Sequence, residues 1–260
     1  IINKFRGDID LLAPGIKQFE ELVPKPVLGV VPYEKNLVVD EEDSIPKWSH
    51  STESVAKEIL NVAVIWTPRI SNFTDLTPLA YDPSVSLSYI NHTSQLNNPD
   101  LIILPGSKNT IEDLIYLKEQ RMLEKVLKCH HDGSLLLGIC GGFQMLGNTI
   151  RDPKNLESKT SECAGLGLFD MDTTFTSDKL TRQIELKTVK SRLFKKGLKC
   201  HGYEIHMGRT AFKSNYPALF SKIEDENPIN FGIINQNGTV IGTYLHGFFN
   251  NNSLRQELLS

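Results

Sequence analysis

Cys140 is the side chain whose surroundings in this sequence most resemble those of a covalent catalyst. It follows the apolar run Leu135-Leu136-Leu137-Gly138-Ile139 and precedes Gly141-Gly142-Phe143-Gln144. The run reads as a buried strand and the residues after the thiol as the start of a helix. A residue at a sharp strand-to-helix turn sits outside the carboxyl end of the sheet, where ligands bind in open α/β folds. Gly138 and Gly142 flank the thiol at two residues on either side, giving G-x-C-x-G, the thiol version of a nucleophile elbow. Such a turn holds its tip at strained φ/ψ, at a cost of about 1–3 kcal/mol that the surroundings must enforce.

The helix after the turn offers unpaired N–H groups and a positive end, both of which favour thiolate over thiol. The N–H of Gly141 can face an oxyanion formed at Cys140. One such donor is worth about 2.7–4 kcal/mol in the transition state. A second donor is expected from Pro105-Gly106-Ser107, the loop ending the preceding strand, at Gly106 or Ser107. The thiol also needs a base, and there are seven histidines. His246 follows the apolar stretch Thr239–Leu245 and precedes Gly247, at a strand end that can be aimed at the same sheet edge. It is the preferred base, with His206 as the alternative. His130 and His131 close a helix and are expected to face solvent, and His50 and His92 lie in polar stretches. The competing reading of Cys140 is a small buried hydrophobe in a glycine-rich turn.

These groups must be positioned by an α/β domain. Val62–Trp66, Val85–Ile90, Leu101–Leu104 and Leu135–Ile139 read as strands. Short helices are expected over 75–80 and from Gly141 to Leu146, with a longer one from about Thr110 to His130. The alternation predicts an open, mainly parallel sheet covered by helices on both faces. The last third favours added antiparallel strands over 183–189, 202–206 and 231–244, with Asn237-Gly238 as a hairpin turn and a final helix after Asn252 or Ser253. Before residue 61 the character differs. Ile1–Phe5, Pro14–Leu22 and Pro26–Pro32 read as strand, helix, strand. The acidic, proline-broken Glu41–Pro46 and the polar Trp48–Thr52 read as a linker or covering segment. The chain opens without Met, as if in mid-strand, which predicts a piece of a longer protein.

The 260 residues carry a formal net charge of −3, with 40% hydrophobic and 23% charged residues. That is a soluble globular composition, with no reason to expect nucleic acid as a partner. No run approaches the ~20 apolar residues of a membrane span, and no signal peptide core opens the chain, so a cytoplasmic location is expected. Cys129, Cys140, Cys163 and Cys200 form no CxxC pair, so no metal site is expected and the thiols are read as reduced.

Leu104–Lys108, Gly138–Gln144 and Tyr244–Gly247 together resemble class I, triad-type glutamine amidotransferase domains. His201-Gly202-Tyr203-Glu204-Ile205-His206-Met207-Gly208 and the opening Ile1–Asp8, Pro26–Tyr33 and Glu42-Asp43-Ser44 narrow the resemblance to the cobyrinic-acid-amidating branch and its cobyric acid synthase family. The resemblance implies the class I amidotransferase fold, which is flavodoxin-like. It implies that Cys140 attacks the side-chain amide of L-glutamine, that His246 shuttles the proton, and that Gln144 contacts bound glutamine. It divides the chain into the end of an ATP-dependent, dethiobiotin-synthetase-like amidoligase domain (1–45), a linker (46–60) and the amidotransferase domain (61–260). The full-length enzyme would use ATP and Mg²⁺ to activate carboxylates of a corrinoid, adenosylcobyrinic acid a,c-diamide, and amidate them with the ammonia. The present chain has no G-x-x-x-x-G-K-[ST] phosphate loop, and no cofactor is expected for it alone.

One position departs from the class. A Glu is usual two residues after the His, and here that residue is Phe248. The expectation is a Cys–His dyad or a carboxylate borrowed from elsewhere, with Glu204 as a candidate. Two other functions stay open on sequence: a thiol hydrolase of another substrate class, such as a dienelactone-hydrolase-like or peptidase-like enzyme, and a binding module that has lost catalysis.

Overall fold

A computed structural model describes residues 1–33, 59–224 and 227–260. The acidic segment Glu41–Pro46 and the polar segment Trp48–Thr52, with His50, lie outside the described residues. The chain divides into two units, Ile1–Asp43 and Ser44–Ser260.

In the first unit strand β1 (Ile2–Phe5) pairs in parallel with β2 (Val30–Pro32), and α1 (Ile9–Leu22) connects them. The helix starts earlier than Pro14 because Asp8 caps it, its side chain accepting from the Asp10 N–H at 2.9 Å. It buries no residue and leaves Ile9, Leu11, Phe19 and Leu22 exposed.

The second unit is built on one large sheet. In chain order its elements begin with β3 (Leu60–Ile65), β4 (Ile70–Ser71), α2 (Thr77–Ala80), β5 (Val85–Ile90), β6 (Leu101–Leu104) and β7 (Gly106–Ser107). Next come α3 (Thr110–Glu119), α4 (Met122–His131), β8 (Leu135–Ile139) and α5 (Gly141–Met145). Strands β9 (Thr149–Arg151), β10 (Glu162–Ala164), β11 (Met171–Thr188), β12 (Lys199–Phe212), β13 (Ala218–Lys222), β14 (Pro228–Ile234) and β15 (Val240–Thr243) follow, and α6 (Asn252–Leu258) closes the series. The sheet order is β10-β9-β11-β13-β14-β15-β8-β6-β3-β5, with β12 paired to β11 and β4 paired separately to β7. Strands β15, β8, β6, β3 and β5 run parallel, and the expected antiparallel hairpin joins β14 to β15 through Gly238 at φ +77°.

The inner parallel strands β3, β6 and β8 are buried because their apolar runs leave no polar face: Val62, Val64, Ile65, Ile102, Ile103, Leu136 and Leu137 are all at most 1% exposed, whereas the edge strand β5 alternates with exposed Ser86 and Ser88. Being parallel, β3, β6, β8 and β15 deliver their carboxyl ends to one sheet edge. That edge receives Thr67 to Asp75, Pro105 to Ser107, Cys140 and His246.

One expectation is corrected in detail. The long helix after Thr110 breaks in two, because Arg121 adopts a left-handed φ of 55° between α3 and α4. The turn re-aims α4 so that Met122, Leu123, Val126 and Cys129 enter the core.

Candidate active site

Cys140 stands at φ 51°, ψ −107°, outside the conformations ordinary residues adopt. Its neighbours enforce this. A Cβ on Gly142 would lie 1.9 Å from the Leu104 carbonyl oxygen, and one on Gly138 2.6 Å from the Gly142 carbonyl oxygen. The two glycines of G-x-C-x-G thus let α5 sit directly on the β6 backbone. On the other side Phe143 fills the space above Gly242, where a Cβ would stand 2.0 Å from the ring. Helix α5 spans only five residues, so its local N–H groups matter more than a macrodipole.

Cys140 is 7% exposed and opens onto a cleft of about 450 Å³ that also meets Ser107, Gln144, Glu157 and His206. At rest its thiol donates to the Ile205 carbonyl at 3.4 Å. All four cysteines are free.

His246 is fully buried. Its Nδ1 lies 2.7 Å from Asp75 Oδ2, and the neighbouring Gly247 N–H donates to Asp75 Oδ1 at 2.7 Å. Asp75 is 5% exposed, so both its oxygens are spent on this one segment. The carboxylate fixes a proton on Nδ1, so Nε2 is the nitrogen left to exchange a proton with the thiol. Nε2 is buried and makes no hydrogen bond while the thiol is turned to Ile205. Burial presses the imidazole to lose its proton. The Asp75 bond and the adjacent Cys140 outweigh that and push its pKa up to about 10. Tyr203 completes the setting. Its ring stacks on the imidazole at 5.0 Å and 15°, its backbone exchanges hydrogen bonds of 3.2 and 2.9 Å with His246, and its hydroxyl donates to Asn72 Oδ1 at 3.2 Å. Asn72, at φ 50°, opens the 3₁₀ turn Phe73–Leu76 that carries Asp75.

The alternative base is otherwise engaged. His206 Nδ1 lies 2.7 Å from the Gly208 carbonyl oxygen and Nε2 2.7 Å from Glu204 Oε1. Both ring nitrogens are committed away from the thiol, although the ring lines the cleft and stacks on Tyr244 at 4.1 Å. Glu204 accordingly does not orient His246: it binds His206 and accepts from Arg182 at 2.6 Å. Burial raises its carboxyl, but these two partners hold it below the usual range. The pair is no bare dyad, because Asp75 supplies the carboxylate that position 248 lacks. Phe248 is instead fully buried against Phe194 and Phe249.

The oxyanion candidates differ in direction. Lys108 donates its N–H to the Arg69 carbonyl at 2.8 Å, so the Ser107 N–H, one residue earlier in the extended chain, faces the other way. The Ser107 nitrogen lies 3.0 Å from where a Cβ on Gly141 would stand. Gly106 packs on Ser71, where a Cβ would crowd its hydroxyl at 3.1 Å and its carbonyl oxygen at 3.2 Å and stand 3.6 Å from the His246 ring. Ser107 is itself fixed, its hydroxyl donating to buried Asp113 at 2.6 Å. Gln144 is 2% exposed rather than on an outer helix face, its side chain tied to Thr110 and Tyr244. Among the described residues no group of three His, Cys, Asp or Glu side chains could hold a metal ion, and no helix is long and apolar enough to cross a membrane.

Residues 61–254 match the CobB/CobQ-like glutamine amidotransferase domain. The chain belongs to that family. Within it, the whole chain aligns with the cobyric acid synthase of Alkaliphilus metalliredigens at 42% identity over 271 residues, covering 53% of that protein. It aligns with the cobyric acid synthase of Clostridium novyi at 44% identity over 264 residues, covering 51% of it. The chain therefore spans about half the length of the curated relatives it matches. Among solved structures, PurLQS of Thermotoga maritima superposes with a TM-score of 0.59 at 19% identity, over 77% of this chain and 98% of that one. A crystal structure of a glutamine amidotransferase superposes at 0.54 and 15% identity, over 76% and 96%. These two likenesses establish the class I amidotransferase-like fold. The amidotransferase domain of this chain thus pairs the elbow and the Tyr-Leu-His-Gly strand end with a carboxylate that sequence reasoning missed. Asp75 follows the first strand of the parallel sheet, at the edge where ligands bind, and that position was the available signal.

Proposed function

We propose that this chain is the glutaminase portion of a cobyric acid synthase, with Cys140 as nucleophile, His246 as base and Asp75 as the group that orients the base. The observation that carries the reading is the 2.7 Å contact of His246 Nδ1 with Asp75 Oδ2 at the sheet edge where the strained Cys140 stands. The thiol's proton resides on His246 Nε2, whose raised pKa favours the imidazolium, as the sulfur attacks the amide carbon of L-glutamine. The carbonyl electron pair moves onto oxygen, where the N–H groups of Gly141 and Ser107 receive it. Collapse expels ammonia, which leaves with the proton from His246, and a thioester remains. Water then gives a proton to the same imidazole, attacks the thioester carbon and releases glutamate, and the thiol regains its proton. Of the two loop candidates, the direction of the backbone favours Ser107 over Gly106. In this reading Gln144 contacts the bound glutamine from its place on the cleft wall.

The ammonia would serve ATP-dependent amidation of corrinoid carboxylates in cobalamin synthesis. Residues 1–45 are read as the end of the amidoligase domain. This is supported by their separation as a unit, by the β1-α1-β2 connection, and by the cobyric acid synthases being about twice as long. The sequence of this chain has no G-x-x-x-x-G-K-[ST] phosphate loop. ATP, Mg²⁺ and corrinoid would be held by the rest of the longer protein.

The test is glutamate release from L-glutamine by the chain and by Cys140→Ala, with mass-spectrometric mapping of a diazo-ketone glutamine analogue. Turnover lost in the variant and a label on Cys140 are expected. A different amide or ester hydrolysed in place of glutamine would favour another thiol hydrolase, and an unlabelled Cys140 with no turnover a binding module.

A further inference from the structure

Asp113 stands in the first turn of α3 with no surface exposed. Its carboxylate accepts from two different loops. The Ser107 hydroxyl donates to Oδ2 at 2.6 Å, and the Arg69 guanidinium donates to Oδ1 at 3.4 Å. Ser107 lies in the loop after β6, and Arg69 in the loop after β3 that leads to Asp75. The backbone joins the same two loops, through the Lys108 N–H on the Arg69 carbonyl at 2.8 Å and the pairing of Ile70 with Ser107. One buried acid thus ties together two of the loops that meet at the catalytic edge.

An acid in this place is costly. Burial raises its carboxyl against the bonds from Ser107 and Arg69, and the Arg69 side chain is half in solvent. Its helix neighbours Ile111, Leu114 and Leu117 are buried and apolar. An apolar residue of similar volume in such a setting is often neutral or better for stability. What a carboxylate adds is direction. The Ser107 hydroxyl donates to Asp113 and accepts the Asn109 N–H at 3.0 Å, so it is locked at both ends. The Ser107 nitrogen and Cβ lie 3.0 and 3.2 Å from where a Cβ on Gly141 would stand. The loop is therefore pressed on the first residue of α5, beside the thiol.

We propose that Asp113 is a positioning residue for the oxyanion site: through the Ser107 hydroxyl it holds the Ser107 N–H where the substrate carbonyl oxygen becomes negative. The assignment rests on the glutaminase reading above, with Ser107 as a donor, and adds what fixes that donor. Asp113 touches no reacting atom and acts through Ser107. A donor aimed at the developing charge serves the transition state more than substrate binding, so its misplacement lowers kcat and spares KM.

The experiment measures kcat and KM for L-glutamine, and the rate of Cys140 alkylation by iodoacetamide, in the chain, Asp113→Ala, Asp113→Asn, Ser107→Ala and the double variant Asp113→Ala with Ser107→Ala. In the alkylation the sulfur displaces iodide from a saturated carbon and no oxyanion forms, so that rate reports the thiol and its elbow alone. In Asp113→Ala kcat is expected to fall by about 10–10²-fold, with KM and the alkylation rate within about 3-fold of the original. Asp113→Asn keeps an acceptor for the Ser107 hydroxyl and should restore most of kcat. Ser107→Ala cuts the same bond from its other end, and the double variant should lose no more than the larger single loss. An unchanged kcat in Asp113→Ala, an alkylation rate that falls along with kcat, or losses that multiply in the double variant overturn the assignment and leave the glutaminase reading standing. Should a thermal melt show that Asp113→Ala does not fold, Ser107→Ala decides: an unchanged kcat there overturns the assignment, and a loss confined to kcat supports it. No glutamine turnover by the unaltered chain overturns both.

Discussion

Asp75 and His246 are separated by 171 residues in the chain and meet at 2.7 Å in a buried contact. The Asp75 turn follows β3 and His246 follows β15, so the pair forms only when both parallel strands are in register in the same sheet. Asp75→Asn should keep the shape but weaken control of the imidazole tautomer. Glutamine hydrolysis is expected to fall by about 10²–10⁴-fold in kcat, with KM little changed. An unaltered kcat and pH profile would show that Asp75 does not orient the base.

The same pair makes stability depend on pH. His246 is raised from the ordinary 6.5 to about 10 in the fold, so the protonated form is the one the fold favours. Its stabilisation is fully present below about 6.5 and is lost as pH rises through about 10. Urea denaturation of the chain and of Asp75→Asn should differ most near the lower limit and converge toward the upper one.

Phe248→Glu, which restores the spacing usual in the class, is expected to hinder. Position 248 is fully buried among Phe194 and Phe249, so the new carboxylate would enter an apolar site without a partner. A loss of about 3 kcal/mol or more in denaturant unfolding is expected, with no gain in hydrolysis.

Tyr203 separates stacking from hydrogen bonding at the base. Tyr203→Phe keeps the ring on His246 and loses the bond to Asn72, and Tyr203→Ala loses both. Hydrolysis should fall only a few-fold in the first and about 10²-fold in the second, the scale of an ångström-sized misplacement. Restoration in the Phe variant is the readout that distinguishes positioning of the imidazole from a role of the hydroxyl.

Gly142→Ala tests the elbow. Its Cβ would stand 1.9 Å from the Leu104 carbonyl oxygen, and neither backbone is free to withdraw. A loss of about 1–3 kcal/mol is expected in the unfolding free energy, together with slower labelling of Cys140 by the diazo-ketone analogue.

The strands that build the site were legible because Val62–Ile65, Leu101–Leu104 and Leu135–Ile139 are unbroken apolar runs closed by turn residues. The elbow was legible because its steric demand leaves glycine at fixed spacing. The break at Arg121 was not, since a left-handed Arg carries no compositional mark. The length of β11 and β12 was under-read, because the middle of β11 is exposed and polar and its pairing is fixed by β12. Asp75 was invisible for a related reason. A lone Asp between Thr74 and Leu76 looks like any turn residue until the sheet brings it under the imidazole. His206 and Glu204 sit in a conspicuous motif, yet their partners prove to be each other.

In the proposed mechanism the acid's job is defined by a location in space, and the distant loop carrying Asp75 reaches it. Residue 248 instead lies in the apolar interior. A pattern written as a fixed His-x-Glu spacing will therefore score such a chain as lacking the acid, although a carboxylate stands 2.7 Å from the imidazole.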